Sequence, residues 1–229
     1  VNNKVIKFFI DTNRVSDRYE RGKILGDLVP NLYDKRDNFF SMELLNGYVL
    51  TKSYNSKEIF NLLEWAMRNL WEKKDNKDNK DFKNTCYDFY INKTLQRVKL
   101  FKEKYGNYNN IKYINKVKIK KIEIILENIK DILINEKQSY QFHGDFILEN
   151  IIKVNNGYKL IDWRERFGDN LTDGDIYYDL AKLRHNIYIN HENILNNLFN
   201  IEFNKEYVYI DLKCNYKNII QIQDFDNFI

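Results

Sequence analysis

The sequence predicts an α+β chain of two lobes, a small β-rich one followed by a larger helical one with a β-hairpin set inside it. Three features predict this. Residues 4–10, KVIKFFI, are β-branched and aromatic and read as a strand. Residues 56–72, SKEIFNLLEWAMRNLWE, repeat apolar side chains at helical spacing. Asn155-Asn156-Gly157 stands between two short apolar runs, 151–154 and 158–161, which is a hairpin pattern.

The elements follow in order. Residues 12–28 place Val15, Tyr19, Ile24, Leu25 and Leu28 on a rough helical stripe, with Thr12, Asn13 and Ser16 as possible caps and Pro30 as the stop. A charged turn at 34–38 separates Leu32 and Tyr33 from a strand at 39–44. Asn46-Gly47 is a turn signal, a short strand follows at 48–51, and the first lobe, residues 1–47, ends there. The second lobe, residues 48–229, opens with the helix at 56–72, capped by Ser56. A polar linker at 73–80 leads to helices at 82–104 and 111–137, broken at 106–110. Residues 140–163 switch to short strands and tight loops, residues 175–200 return to helix, and 206–229 read as helix or mixed.

Composition excludes several classes. Hydrophobic residues are 43% of the 229 and aromatics 15%, enough for a sizeable core, so disorder is not expected. A net charge of +4, from 37 basic and 33 acidic residues, gives no dense basic stripe. The runs at 73–80 and 116–121 are broken by Asp, Asn or Ile and read as solvated faces, so no nucleic-acid partner is expected. Cys86 and Cys214 form no metal-binding pair or disulfide framework, which points to a reducing compartment. No apolar run approaches the ~20 residues of a membrane helix. No secretory segment opens the chain, so a cytoplasmic location is expected.

The chemistry concentrates in residues 141–170, QFHGDFILENIIKVNNGYKLIDWRERFGDN. His143-Gly144-Asp145 makes a tight turn before the hairpin. The hairpin brings its outer ends together, with Asp145 and Asn150 on one side and Asp162 on the other. Two carboxylates and an amide oxygen at one mouth suit a hard cation such as magnesium, which takes one or two protein carboxylates and completes its shell with phosphates.

HGDFILEN followed by LIDW resembles the catalytic loop and metal site of the aminoglycoside phosphotransferase and choline kinase family, which has the protein-kinase-like fold. The family pattern is His-Gly-Asp, four residues, Asn, a hairpin, then Ile-Asp-Trp or Ile-Asp-Phe. The resemblance implies that Asp145 is the catalytic base and that Asn150 and Asp162 bind Mg2+ for ATP. His143 belongs to the same catalytic loop and is expected to support it rather than titrate. Residues 175–183, DIYYDLAKL, resemble the segment in which an Asp braces that loop through its backbone amides, a part that falls to Asp179. The stretch IDWRERFGDN with GDIYYDLAKLRHNIY is similar to phosphotransferase-like proteins of bacterial capsule and surface-polysaccharide synthesis.

The same resemblance requires an ATP-anchoring Lys on an early strand. Lys7 fits, sharing a face with Val5, and Lys4 competes. Glu20 on the next helix is the expected partner that turns Lys7 toward the phosphates, with Asp17 as the alternative. Residues 42–47, MELLNG, resemble the connector between lobes, where backbone near Glu43 and Leu45 would bind adenine and Met42 would line the pocket. Arg164, Glu165 and Arg166 leave the metal site toward an anionic or sugar-like hydroxyl acceptor, and Trp163, Tyr177 and Tyr178 suit a cationic one.

Two departures from the family pattern stand out. Six residues precede Lys7, too few for a glycine-rich phosphate loop, so the chain is expected to be truncated or to do without that cover. Phe146-Ile147-Leu148-Glu149 replaces the His-Pro pair often found after the base. The expected activity is ATP-dependent transfer of a phosphoryl group to a hydroxyl of a small molecule. The alternative is a catalytically weak, pseudokinase-like nucleotide-binding module.

Overall fold

The computed structural model of the chain describes residues 3–52, 55–74, 79–106, 110–134, 139–189 and 191–212. In chain order the strands and helices are β1 (Lys4–Phe8), α1 (Thr12–Leu25), β2 (Leu32–Arg36), β3 (Phe39–Glu43), β4 (Tyr48–Val49), α2 (Ser56–Asn69), α3 (Asn79–Tyr87), α4 (Lys93–Tyr105), β5 (Tyr113–Ile114), β6 (Val117–Lys118), α5 (Ile122–Ile134), β7 (Ile151–Val154), β8 (Gly157–Leu160), α6 (Ile176–Tyr188), α7 (His191–Leu195), β9 (Phe199–Asn204) and β10 (Tyr207–Leu212). The order is mixed α+β, with strands first, a connector, helices, then a loop and hairpin.

The first strands form an antiparallel sheet in the order β1-β3-β2. Alternation along β1 leaves Lys4, Ile6 and Phe8 exposed and turns Val5 and Lys7 inward, opposite Met42 and Phe40 of β3. Helix α1 begins one residue upstream of the expected caps: the Asp11 carboxylate accepts from the amides of Asn13 at 2.9 Å and Arg14 at 3.4 Å. It stops at Gly26, whose φ of +54° ends the helical path.

The chain changes sheet after Gly47, where β4 joins the hairpin in a second antiparallel sheet, β4-β7-β8. A Cβ on Gly47 would run into the Lys153 carbonyl, so the turn accepts only glycine at that spacing. The compact units divide the chain differently, however. Described residues up to 74 pack with 139–186 in one unit, and 79–134 with 187–212 form the other.

In the first unit, α2 buries Ile59, Leu62, Leu63 and Ala66 completely. Each large apolar side chain removed from water in this way contributes roughly 1.5–3 kcal/mol. Asn55, rather than Ser56, caps α2, its side chain accepting from the Glu58 amide at 2.9 Å. Glu58 then fastens α2 to the hairpin, accepting from Lys153 Nζ at 2.5 and 2.6 Å and from the Tyr158 hydroxyl at 2.5 Å. Burial alone would raise the Glu58 carboxyl, but these donors outweigh it and hold it below the usual range. Trp65 packs edge-on against Tyr158 from the same helix.

The second unit holds α3, α4 and α5 beside a four-stranded sheet in the order β6-β5-β10-β9. A five-residue π turn, Asp88–Asn92, joins α3 to α4 where one unbroken helix was expected. The helix expected over 111–137 is shorter. It begins at Ile122, because Asn115 and Lys116 take φ of +49° and +69° and close a tight hairpin between β5 and β6. The helix expected over 175–200 likewise ends early, and 199–212 form the hairpin β9-β10. The part of the expected tail beyond residue 212, including Cys214, lies outside the described residues. Cys86 is buried as a thiol. Among the described residues no helix is long and apolar enough to cross a membrane.

Candidate active site

The site is built by three backbone-level fastenings between the 143–150 loop and the far strand of the hairpin. The Arg164 amide donates to the His143 carbonyl at 2.9 Å. The Ile161 amide donates to the Asn150 carbonyl at 2.9 Å. The His143 ring, through Nε2, meets the Ile161 carbonyl at 2.9 Å. Because His143 Nδ1 accepts from the Asp145 amide at 3.2 Å, Nε2 carries the proton and donates to Ile161. These bonds tie the loop that carries Asp145 and Asn150 to the segment on either side of Asp162.

Two residues there need uncommon backbone. Gly144 has φ of +85° and lies under the side chain of Arg164, so a Cβ at that position would collide with Arg164 Cβ. Asp162 has φ of +56°, a left-handed conformation that Asp tolerates better than most residues and that is concentrated at functional positions.

His143 is fully buried, and burial holds its imidazole down to about 4. It is therefore neutral at physiological pH and acts as a strut of the loop. Asp179, on α6 and equally buried, accepts from the amides of His143 and Gly144, both at 2.7 Å, and from Trp71 Nε1 at 3.1 Å. Burial pushes its carboxyl up to about 6 against the pull of these donors. The donors favour the ionised form, which dominates at neutral pH.

Both oxygens of Asp145 are engaged. Oδ2 accepts from Asn150 Nδ2 at 3.1 Å, and Oδ1 pairs with Lys182 Nζ at 2.9 Å. Asn150 Nδ2 also donates to the Asp145 carbonyl at 2.9 Å, which leaves the Asn150 Oδ1 lone pairs for a cation. Asp162 Oδ1 accepts from Lys7 Nζ at 2.6 Å, with Arg18 Nη1 3.9 Å away. Among the described residues no three His, Cys, Asp or Glu side chains gather into a metal site. The donor set of Asn150 and Asp162 instead fits a magnesium ion that takes its remaining ligands from phosphates and water.

Several expected roles meet a different geometry. Glu20 does not pair with Lys7. It binds Lys23 at 3.0 Å, one turn along its own helix, and lies 4.0 Å from Lys35, while Lys7 goes to Asp162. Asp17 is held by Arg166 through two contacts of 2.5 and 2.8 Å. Lys4 faces the other side of β1, 3.7 Å from Asp34 and over the Tyr33 ring. Met42 is buried in the β3 core, and the Glu43 amide donates to the Asn31 carbonyl at 2.9 Å, so that donor is already used. Leu45 lies half-buried in the connector.

In the charged run after Asp162, Glu165 and Arg166 are turned toward α1 and Arg164 toward α6. Glu165 accepts from Arg18 at 3.1 Å and pairs with Arg14 at 3.4 Å. Arg166 takes Asp17, and Arg164 donates to the Tyr178 hydroxyl at 2.7 Å. These side chains therefore join helix to loop rather than standing open to an acceptor. Trp163 is buried, donating to the Arg18 carbonyl at 2.8 Å, which removes it from the cation-binding aromatics.

Three residues of the site were not singled out from the sequence: Arg18, Arg21 and Lys182. Arg21 is fully buried and donates to the carbonyls of Leu171 at 2.7 Å, Thr172 at 2.6 Å and Phe142. Its guanidinium lies over the Phe142 ring at 4.1 Å. Burial lowers it to about 10, so it remains cationic. The available signal was spacing, since Arg14, Arg18 and Arg21 fall on one face of α1.

No known protein-family pattern matches the chain. It is similar to the Protein LicA homolog of Metamycoplasma hominis, 24% identical over 208 residues that cover 90% of this chain and 73% of the relative. Among solved structures it is similar to the streptomycin-ATP-APH(2")-IIa ternary complex, with a TM-score of 0.45 and 20% identity over 77% of this chain. The chain spans 62% of the length of that structure.

Proposed function

We propose that this protein is an ATP-dependent small-molecule kinase that transfers a phosphoryl group to a hydroxyl acceptor. One observation supports the reading: the loop bearing Asp145 and Asn150 is hydrogen-bonded to the residues flanking Asp162, and Lys7 pairs with Asp162. Asn150 and Asp162 would hold a magnesium ion, which when bound neutralises charge on the phosphate oxygens of ATP. Lys7 releases Asp162 and meets the α- and β-phosphates. Asp145 orients the acceptor hydroxyl and takes its proton as the oxygen bonds to the γ-phosphorus and ADP leaves. Most of the acceleration is positional and electrostatic, which the rigid loop under Asp179 and His143 supplies. The resemblance of the 161–170 and 174–188 stretches to capsule-associated phosphotransferases favours a sugar or small polyol as acceptor.

The test is transfer from Mg·ATP across a panel of sugars, polyols, amino alcohols and aminoglycosides. Asp145→Asn is expected to lower turnover by roughly 10²–10⁴-fold while nucleotide binding persists. Turnover unchanged in that variant would rule out the assigned base.

A further inference from the structure

We propose that Lys182 is the positioning residue of the general base, an inference that rests on the kinase reading and deepens it. Asp145 is immobilised almost everywhere else. Its amide donates to His143 Nδ1, its carbonyl accepts from Asn150 Nδ2 and from the Ile147 amide at 2.9 Å, and Oδ2 accepts from Asn150. The remaining freedom is rotation of the carboxylate, and the ammonium of Lys182 at 2.9 Å from Oδ1 removes it.

The placement of Lys182 follows from α6. It stands three residues after Asp179, one turn along the same helical face. Asp179 grips the loop backbone at His143 and Gly144, and Lys182 then grips the loop's acid. One helix thus sets both the main chain and the side chain of the base. The loop cannot supply this cation itself. Phe146, Ile147 and Leu148 are buried apolar residues, and the Glu149 carboxylate accepts from Asn186 at 2.9 Å. Both partners of the pair are a little over one-third exposed, so Lys182 reaches Asp145 from the open side of the site, where an acceptor hydroxyl must arrive. A compact ammonium on a flexible stem holds one carboxylate oxygen and leaves its second lone pair for that hydroxyl.

The transfer step balances with Lys182 unchanged. The acceptor O–H proton passes to Asp145, the acceptor oxygen bonds to the γ-phosphorus, and the bond from that phosphorus to the bridging oxygen of ADP breaks. Lys182 keeps its protons throughout and acts through the carboxylate.

The experiment is a double-mutant cycle with Lys182→Met, which keeps length and removes charge, and Asp145→Asn. Steady-state transfer is read from Mg·ATP to whichever panel acceptor the wild type phosphorylates. Lys182→Met is expected to lower kcat by about 10–100-fold with the KM for ATP within about three-fold, and Lys182→Arg to recover part of the loss. In the Asp145→Asn background, Lys182→Met is expected to cost no more than about two-fold further, because the group it acts through is gone. Additive losses, a loss confined to the KM for ATP, or a kcat within two-fold of wild type would each overturn the inference while leaving the kinase reading standing. A wild-type chain with no Asp145-dependent transfer to any panel member would overturn both.

Discussion

Arg21, in the first helix, donates to the backbone carbonyl of Phe142, the residue directly before His143. The same guanidinium holds Leu171 and Thr172, so one buried side chain ties α1 to both flanks of the candidate site. Arg21→Met is expected to cost about 3–5 kcal/mol, because a fully buried donor to three carbonyls, one of them that of the buried Phe142, is lost at once. Arg21→Lys should cost less, since it keeps the charge but cannot span three acceptors. Urea midpoints of the two variants check the order.

Gly22 sits where α1 touches Trp163. A Cβ there would stand 2.6 Å from Trp163 Cζ2 and 2.8 Å from Leu32 Cδ1. Gly22→Ala is expected to destabilise by about 1–3 kcal/mol despite the better helix propensity of Ala, because overpacking outweighs it. The melting temperature should fall, with a change in tryptophan fluorescence. A rise in melting temperature would mean that Trp163 and the helix are not in contact.

His143 gives a pH dependence whose sign follows from its burial. Burial holds its folded value near 4, against an ordinary 6.5. Between those values the unfolded chain binds the proton and the folded chain does not, so stability present above pH 6.5 is lost as pH falls toward 4. Asp179 acts oppositely over nearly the same window: its value rises from 3.8 to about 6, so the folded chain takes the proton first and gains stability on acidification. The two offset each other in the wild type. His143→Gln removes one side, so its penalty relative to wild type should shrink by about 2–3 kcal/mol between pH 7 and 4.5. Denaturant midpoints at pH 7, 5.5 and 4.5 measure it, and a widening gap would contradict the assignment.

Asp17 and Arg166 form a short bidentate pair, yet Arg166 is 39% exposed. A double-mutant cycle with Asp17→Asn and Arg166→Gln should give a coupling of less than about 1 kcal/mol, since solvent screens the pair and both side chains lose freedom. A coupling of several kcal/mol would show that the pair is desolvated.

The parts of this fold that were legible in the sequence are those with strong local chemistry. Asn155-Asn156-Gly157 fixed the hairpin, the face shared by Val5 and Lys7 was set by strand alternation, and the 56–72 pattern gave α2 to within three residues at its end. The β9-β10 hairpin falls where the expectation was helix to residue 200 and helix or mixed structure from 206, although residues 199–204, FNIEFN, alternate with period two. The turn at Asn115 and Lys116 carried no glycine, so its left-handed pair was hidden. In the site, residues bound by local turns were found from spacing. The partners of those residues were not, because Lys7 meets Asp162 across 155 positions and Arg21 meets Phe142 across 121. Glu20 shows the other side of this: a nearby Lys23 takes it at three residues' distance before any remote partner does.

Those long separations bear on how the chain reaches its native state. Closing a 155-residue loop must be paid for in chain entropy before any remote contact rewards it, and such topologies fold slowly. The opening three-stranded sheet leaves Ile6 and Phe8 largely exposed and packs Phe40 against Trp163, while Arg21 of α1 holds the 171 and 172 carbonyls. During synthesis β1 to β3 therefore have α1 to pack on but lack their Trp163 contact until the hairpin that follows them has emerged, so part of their stability comes late.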